Sequence, residues 1–225
     1  MREITGADAA RMFGLGFIAP TIAGVAGVIG AALMHSTMVA IAGVSIALMV
    51  GGWTIWSFFD RGWTLADFGF VPLGRRGWHL LWQIPVMLGI SLIIAAGIGA
   101  LIQVEPAEQD NRLELVPIEY APLIIALMGF LVVIAGPIWE EVVFRRFIMG
   151  WLDNRFKLPI VSILASALLF GLVHMTPPII VWAFLLGICC AILYRWHGSL
   201  WAAILHHGFN NLMVTIGMAI SLYSS

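Results

Sequence analysis

Charge is scarce in this chain. Lys, Arg, Asp and Glu make up 10% of its 225 residues, against about a quarter in an ordinary soluble domain. With 61% hydrophobic residues and a mean hydropathy of +1.01, that scarcity excludes a soluble globular protein and points to one that lives in a bilayer. The formal net charge is −1, so the basic excess that binds nucleic acid is missing. The two cysteines, Cys189 and Cys190, are chain neighbours inside an apolar run and supply no disulfide framework. Several catalytic signatures are absent too. Without His-Glu-x-x-His, a zinc protease of the site-2 type is disfavoured. Without Gly-x-Ser-x-Gly there is no nucleophile elbow, and Gly-x-Gly-Asp of the aspartyl type is missing as well. Ser45, Ser91, Ser162 and Ser166 have no convincing activating partner. No internal repeat or low-complexity segment occurs, which speaks against the repeat-built transporters.

What the chain does have is a series of long apolar runs. A bilayer core needs about 20 apolar residues per helix. Runs of that order fall near residues 13–34, 37–59, 78–104, 120–152, 160–175, 179–196 and 199–222. The expected architecture is all-α: a polytopic membrane helix bundle of about seven transmembrane helices, forming one integral membrane domain over residues 1–225. The fourth run is too long for a simple span, and Pro137 is expected to bend or divide it. The fifth is short. Met1 to Arg11 lacks a small-residue cleavage site and reads as a retained amphipathic lead-in.

Basic residues orient the bundle. With the N-terminus in the cytoplasm, that side holds Arg2, Arg11, Arg61, Arg75, Arg76, Arg155, Lys157 and Arg195. The other receives only Arg112, among Glu105, Glu108, Asp110 and Glu114. The bias is clearly positive-inside. Small residues at helix spacing (Ala19-Ala23-Gly27-Ala31, Gly43-Ala47-Gly51 and Ala183-Gly187-Ala191) form ridges for close helix packing.

Against this greasy background Glu140 and Glu141 stand side by side, followed by Arg145 and Arg146. A charge at the centre of a membrane helix costs roughly 2.5–3.5 kcal/mol even on lenient scales. The pair therefore serves chemistry, an internal ion pair, or both. On α-helical geometry Glu141 and Arg145 share a face, and Glu140 lies about 100° away. A glutamate left out of the ion pair can serve as a general base; the plainer reading is that both glutamates only lock helices together through Arg145 and Arg146.

The next run ends in Phe170-Gly171-Leu172-Val173-His174. A lone histidine is usually a packing residue, but Glu140 and His174 are equidistant from Lys157, at the turn between their helices. At about 1.5 Å per residue they reach matching depth, where antiparallel neighbours can meet. The last run carries His206-His207-Gly208-Phe209-Asn210-Asn211. Two registers of His-x-x-x-Asn are open, His207 with Asn211 or His206 with Asn210. The first continues a small, polar stripe through Ser199, Ala203 and Thr215 and is favoured as inward-facing; the second, through Ala202 and Val214, is less polar. Interhelical hydrogen bonding alone is the bland alternative. Buried polar groups from three helices facing one interior suit a water-activating hydrolase.

These residues resemble the CPBP family, the CAAX prenyl endopeptidases and the bacteriocin-processing or Abi-type membrane proteins. The pattern Glu-Glu-x-x-x-Arg, Phe-x-x-x-His and His-x-x-x-Asn falls on Glu140-Glu141…Arg145, Phe170…His174 and His207…Asn211. Phe144-Arg145 and the segment Ser199 to Leu205 also look like the family, and Thr64 to Phe70 is a weaker echo. The likeness covers a core of about residues 121–212. Arg146 stands where many members have glycine.

The resemblance implies an intramembrane endopeptidase that hydrolyses a peptide bond near the membrane surface. Glu140 with His174 would activate a water, His207 and Asn211 would stabilise the oxyanion, and Glu141 and Arg145 would orient them. Members are often called metalloproteases, although a metal-free glutamate mechanism is also proposed for the family. Glu140, His174 and His207 could hold a zinc with an open position, but they lack local two-ligand spacing, and no tightly bound metal is favoured. The expected partners are a peptide or membrane-protein substrate and the lipid bilayer. The expected location is multi-pass in the cell membrane of a prokaryote. A catalytically silent scaffold or bacteriocin-immunity protein, binding a partner in the same cavity, is the alternative; the intact motif set favours the enzyme.

Overall fold

The computed structural model describes residues 1–102, 126 and 129–224. The acidic loop with Arg112, the end of the third apolar run and the start of the fourth lie outside them. The described residues form helices joined by turns and short irregular segments, with no strand among them. Four helices are long and apolar enough to cross a membrane: α1 (Gly6–Met34), the next helix from Met38–Asp60, the segment Gly74–Leu101 and Pro177–His197. The last three contain α2 (Thr37–Asp60), α3 (Leu80–Ile102) and α7 (Pro177–His197). Between α3 and α7 run α4 (Gly136–Glu141), α5 (Gly150–Phe156) and α6 (Pro159–Leu172), with π-helical turns at Phe130–Ala135 and Val142–Met149 flanking α4. The chain ends in α8 (Leu200–Ser224). An all-helical chain with these apolar helices is a membrane protein, and the helical bundle read from the sequence agrees with it.

The chain packs as two compact units, one of residues 1–70 and 142–162, the other of residues 71–141 and 163–225. In the first, α1 and α2 form a hairpin closed at His35, which adopts the left-handed conformation (φ 48°). The glycine ridges do what small residues do in lipid. A Cβ on Gly27 would stand 2.7 Å from the Gly43 Cα, and one on Gly43 only 2.5 Å from the Gly27 Cα, so the backbones touch. A cluster of Phe58, Trp63, Phe68 and Phe147 rings fills the same unit, with centroids 4.9–5.8 Å apart. Arg146 accounts for its departure from the family glycine here. It is buried, and its guanidinium donates to the carbonyls of Asp67 and Arg2, tying the N-terminal segment to the turn at Thr64. In that turn the Thr64 hydroxyl and amide donate to Asp67 and hold its carboxyl below the usual range.

In the second unit α7 ends at Gly198, whose φ of 65° reverses the chain into α8. The tight reversal makes α7 and α8 antiparallel neighbours. Gly171 and Gly187 set the spacing of the remaining contact: a Cβ on Gly187 would lie 3.1 Å from Ala167, and one on Gly171 2.8 Å from the Ile180 carbonyl. The ridge Ala183-Gly187-Ala191 is thus where α7 meets α6.

Candidate active site

Glu140 and Glu141 close α4, where the second unit gives way to the first. Adjacent positions on a helix point in different directions, and the two carboxylates differ accordingly. Glu141 has no exposed side-chain surface, whereas Glu140 keeps 27%. Both reach one ring. His207, 4% exposed on α8, has its Nδ1 2.9 Å from Glu141 Oε1 and its Nε2 3.8 Å from Glu140 Oε2. A carboxylate accepts, so His207 Nδ1–H donates to Glu141 and the imidazole is fixed in orientation. The second distance is beyond hydrogen-bond length and is that of an ion pair.

His174 follows the last turn of α6. Its Nδ1 lies 2.8 Å from the Phe170 carbonyl. A carbonyl only accepts, so Nδ1 carries a proton and Nε2 is the nitrogen turned away from that bond. Phe170 stands between the two histidines, its ring edge-on to His174 at 5.0 Å and to His207 at 5.6 Å. The two registers of α8 part less cleanly than the polar stripe suggested. His206 and Asn210 are buried, at 0% and 5% exposure, while Asn211 is only half-buried. The first half of α8 has neighbours on more than one side, since it packs on α7, on α4 and on the π turn Phe130–Ala135. Partners say more than burial does: His207 meets both glutamates.

The anchoring of Asn211 begins with a proline. In the π turn each N–H reaches five residues back, and Gly136 N–H bonds the Leu131 carbonyl. The next donor in that ladder would be residue 137 on Val132, but Pro137 has no N–H. The chain stays helical through Pro137 rather than dividing there, and α8 takes up the freed carbonyls. Asn211 Nδ2 donates to the Val132 oxygen at 2.8 Å. One turn earlier, Gly208 lets the backbones close, since a Cβ there would be 2.8 Å from the Val133 oxygen. Trp182 Nε1 donates to Asn210 Oδ1 at 3.2 Å, and Asn210 Nδ2 to Asn211 Oδ1 at 3.0 Å. Trp182, Asn210 and Val132 thereby hold the Asn211 amide on both sides and leave one of its two N–H donors for another acceptor. Pro137→Ala should restore a backbone donor to Val132 and compete with Asn211. The expected outcome is an equal or higher melting temperature with slower turnover; faster turnover would separate Asn211 from the reaction.

Cys190, on α7, is the residue that sequence reasoning passed over. Its thiol donates to the Ala203 carbonyl at 3.7 Å. Donor atoms of Glu141, Cys190 and His207, all buried, lie within 4.8 Å of one another. The one available signal was its place on the packed side of α7, three residues beyond Gly187. Arg145 is fully buried in the Val142–Met149 π turn of the first unit. Because π hydrogen bonds run i to i+5, the four-residue face expected for Glu141 and Arg145 does not carry over unchanged.

Residues 122–213 match the family model of the type II CAAX prenyl endopeptidase Rce1-like proteins. The segment holds every motif from Glu140 to Asn211 and supports a CPBP-type intramembrane peptidase. Searches of curated proteins and of solved structures gave no match.

Proposed function

With a type II CAAX prenyl endopeptidase segment over residues 122–213 as the premise, we propose that the chain hydrolyses a peptide bond of a membrane-associated substrate by means of a glutamate-activated water. The carrying observation is the sharing of His207 between an accessible Glu140 and a buried Glu141. Glu140 takes a proton from water, aided by His174, and the water oxygen attacks the carbonyl carbon. The charge that builds on the carbonyl oxygen is met by the free Asn211 N–H and by His207 carrying a proton on Nε2. Each such donor contributes about 2.7–4 kcal/mol in comparable sites. Collapse breaks the C–N bond, and the proton held by Glu140 passes to the leaving nitrogen. Glu141 keeps His207 in orientation, and Arg145 is assigned a supporting role nearby in sequence.

The enzyme sits multi-pass in the cell membrane, N-terminus inside, as the distribution of Arg and Lys supports; its source is read as prokaryotic. The substrate class proposed follows the name of the matched family: a peptide with a prenylated cysteine a few residues before its C-terminus. Purified protein in lipid vesicles, given one such peptide with and without the prenyl group, tests both points. Preferential release of the C-terminal fragment from the prenylated form is expected. Equal cleavage would remove the lipid from recognition, and no cleavage of any peptide would favour a silent scaffold.

Asn211→Ala should slow turnover by about 100-fold or more, the usual loss for one oxyanion donor. Asn210→Ala should slow it less, because it loosens Asn211 without removing it. Single-turnover rates with both variants check the order, and its reversal would transfer the donor role to Asn210.

A further inference from the structure

The trio of Glu141, Cys190 and His207 differs from the zinc set that the motifs alone suggested, and its chemistry differs too. It offers one carboxylate, one thiol and one imidazole, all buried, from α4, α7 and α8. Ligand atoms about 2.0–2.3 Å from a tetrahedral zinc are about 3.5 Å apart. The present spread, within 4.8 Å, closes to that by side-chain movement on the order of 1 Å. Two anionic ligands, carboxylate and thiolate, would neutralise a divalent ion inside an apolar bundle. A thiolate among the donors selects zinc-like cations over magnesium or calcium, which take oxygen.

The geometry points to a regulatory site for a zinc-class divalent cation, in which the metal binds Glu141, Cys190 and His207 and silences the hydrolytic centre. On binding, the Cys190 S–H bond gives way to an S–metal bond and releases one proton to solvent. His207 keeps its Nε2 proton and gives the Nδ1 proton to solvent as well, so Nδ1 can bind the metal in place of its hydrogen bond to Glu141. Nε2–H then faces Glu140 Oε2, now 3.8 Å away, giving the carboxylate–histidine–metal arrangement that stabilises such sites. Glu140 and His207 are thereby drawn away from a reacting carbonyl. The silencing rests on the peptidase reading of these residues; the binding does not.

Cadmium chloride titrated into the full chain in detergent tests the site by the ultraviolet thiolate-to-cadmium absorption. Wild type should take up one equivalent with that absorption. Cys190→Ser should lose the absorption and bind at least tenfold more weakly. Cys189→Ser should retain both, because its sulfur lies 3.5 Å from Ser91 Oγ instead. Glu141→Gln supplies a second variant: it should keep the absorption and weaken binding. Absence of the absorption in wild type, or its persistence in Cys190→Ser, overturns the proposal. In the cleavage assay, zinc inhibition of Cys190→Ser should require at least tenfold more metal, measured against that variant's own zinc-free rate. Cadmium absorption in a wild-type protein that cleaves nothing without zinc would sink the peptidase reading and leave the metal site standing. Cleavage without the absorption would do the opposite.

Discussion

Glu140→Gln is expected to lower cleavage by about 100- to 10,000-fold, the range general-base catalysis contributes, while the protein keeps its melting temperature. The substitution preserves shape and hydrogen bonding but removes the group that takes the proton from water. Folding should tolerate it because Glu140 is the more exposed carboxylate of the pair. A rate loss of that size amounts to about 2.7–5.4 kcal/mol of transition-state stabilisation. Single-turnover rates on matched amounts of folded protein are the relevant measurement. Retained activity would transfer the base role elsewhere, with His174 the next group to test.

His207→Ala should strike both activity and stability. It removes an oxyanion donor, for a loss of about 100- to 1,000-fold in rate. It also takes away the ring that lies 2.9 Å from Glu141 Oε1, a carboxylate with no exposed side-chain surface. Removing one partner of a buried charged pair destabilises by about 3–5 kcal/mol. The two effects separate in the double variant with Glu141→Gln. Neutralising the buried carboxylate should recover much of the stability and none of the rate. A double variant no more stable than His207→Ala would mean that the pair does not carry the fold there.

Much of the fold was legible because bilayers impose few solutions. Helices must satisfy their own backbone, so apolar runs and turn residues read almost directly. Lys157 does lie at a reversal, in the left-handed conformation, and Gly27 and Gly43 do meet where the ridges put them. The fifth run is indeed short, as α6, Pro159–Leu172. The helix containing Pro137 was harder. Around it the hydrogen-bond period changes on either side of α4, which a residue-by-residue reading on α geometry does not contain.

For the candidate site the sequence nominates residues more readily than it pairs them. Three motifs named Glu140, Glu141, His174, His207 and Asn211, and the family match over residues 122–213 nearly coincides with the core expected from them. Which glutamate would be buried could not be read, because that depends on where α8 docks. The Val132 carbonyl was equally hidden: nothing in an apolar residue advertises an acceptor, and only the missing N–H of Pro137 makes it one. Cys190 looked like filler because a buried free thiol normally behaves as a small hydrophobe.

The most direct measurement of the central claim compares peptide termini in membranes holding wild-type protein or Glu140→Ala at matched abundance. New termini that arise only with the wild type, and that share a sequence around the cut, are the predicted result. Identical profiles with both proteins folded would contradict it and make the chain a binding scaffold.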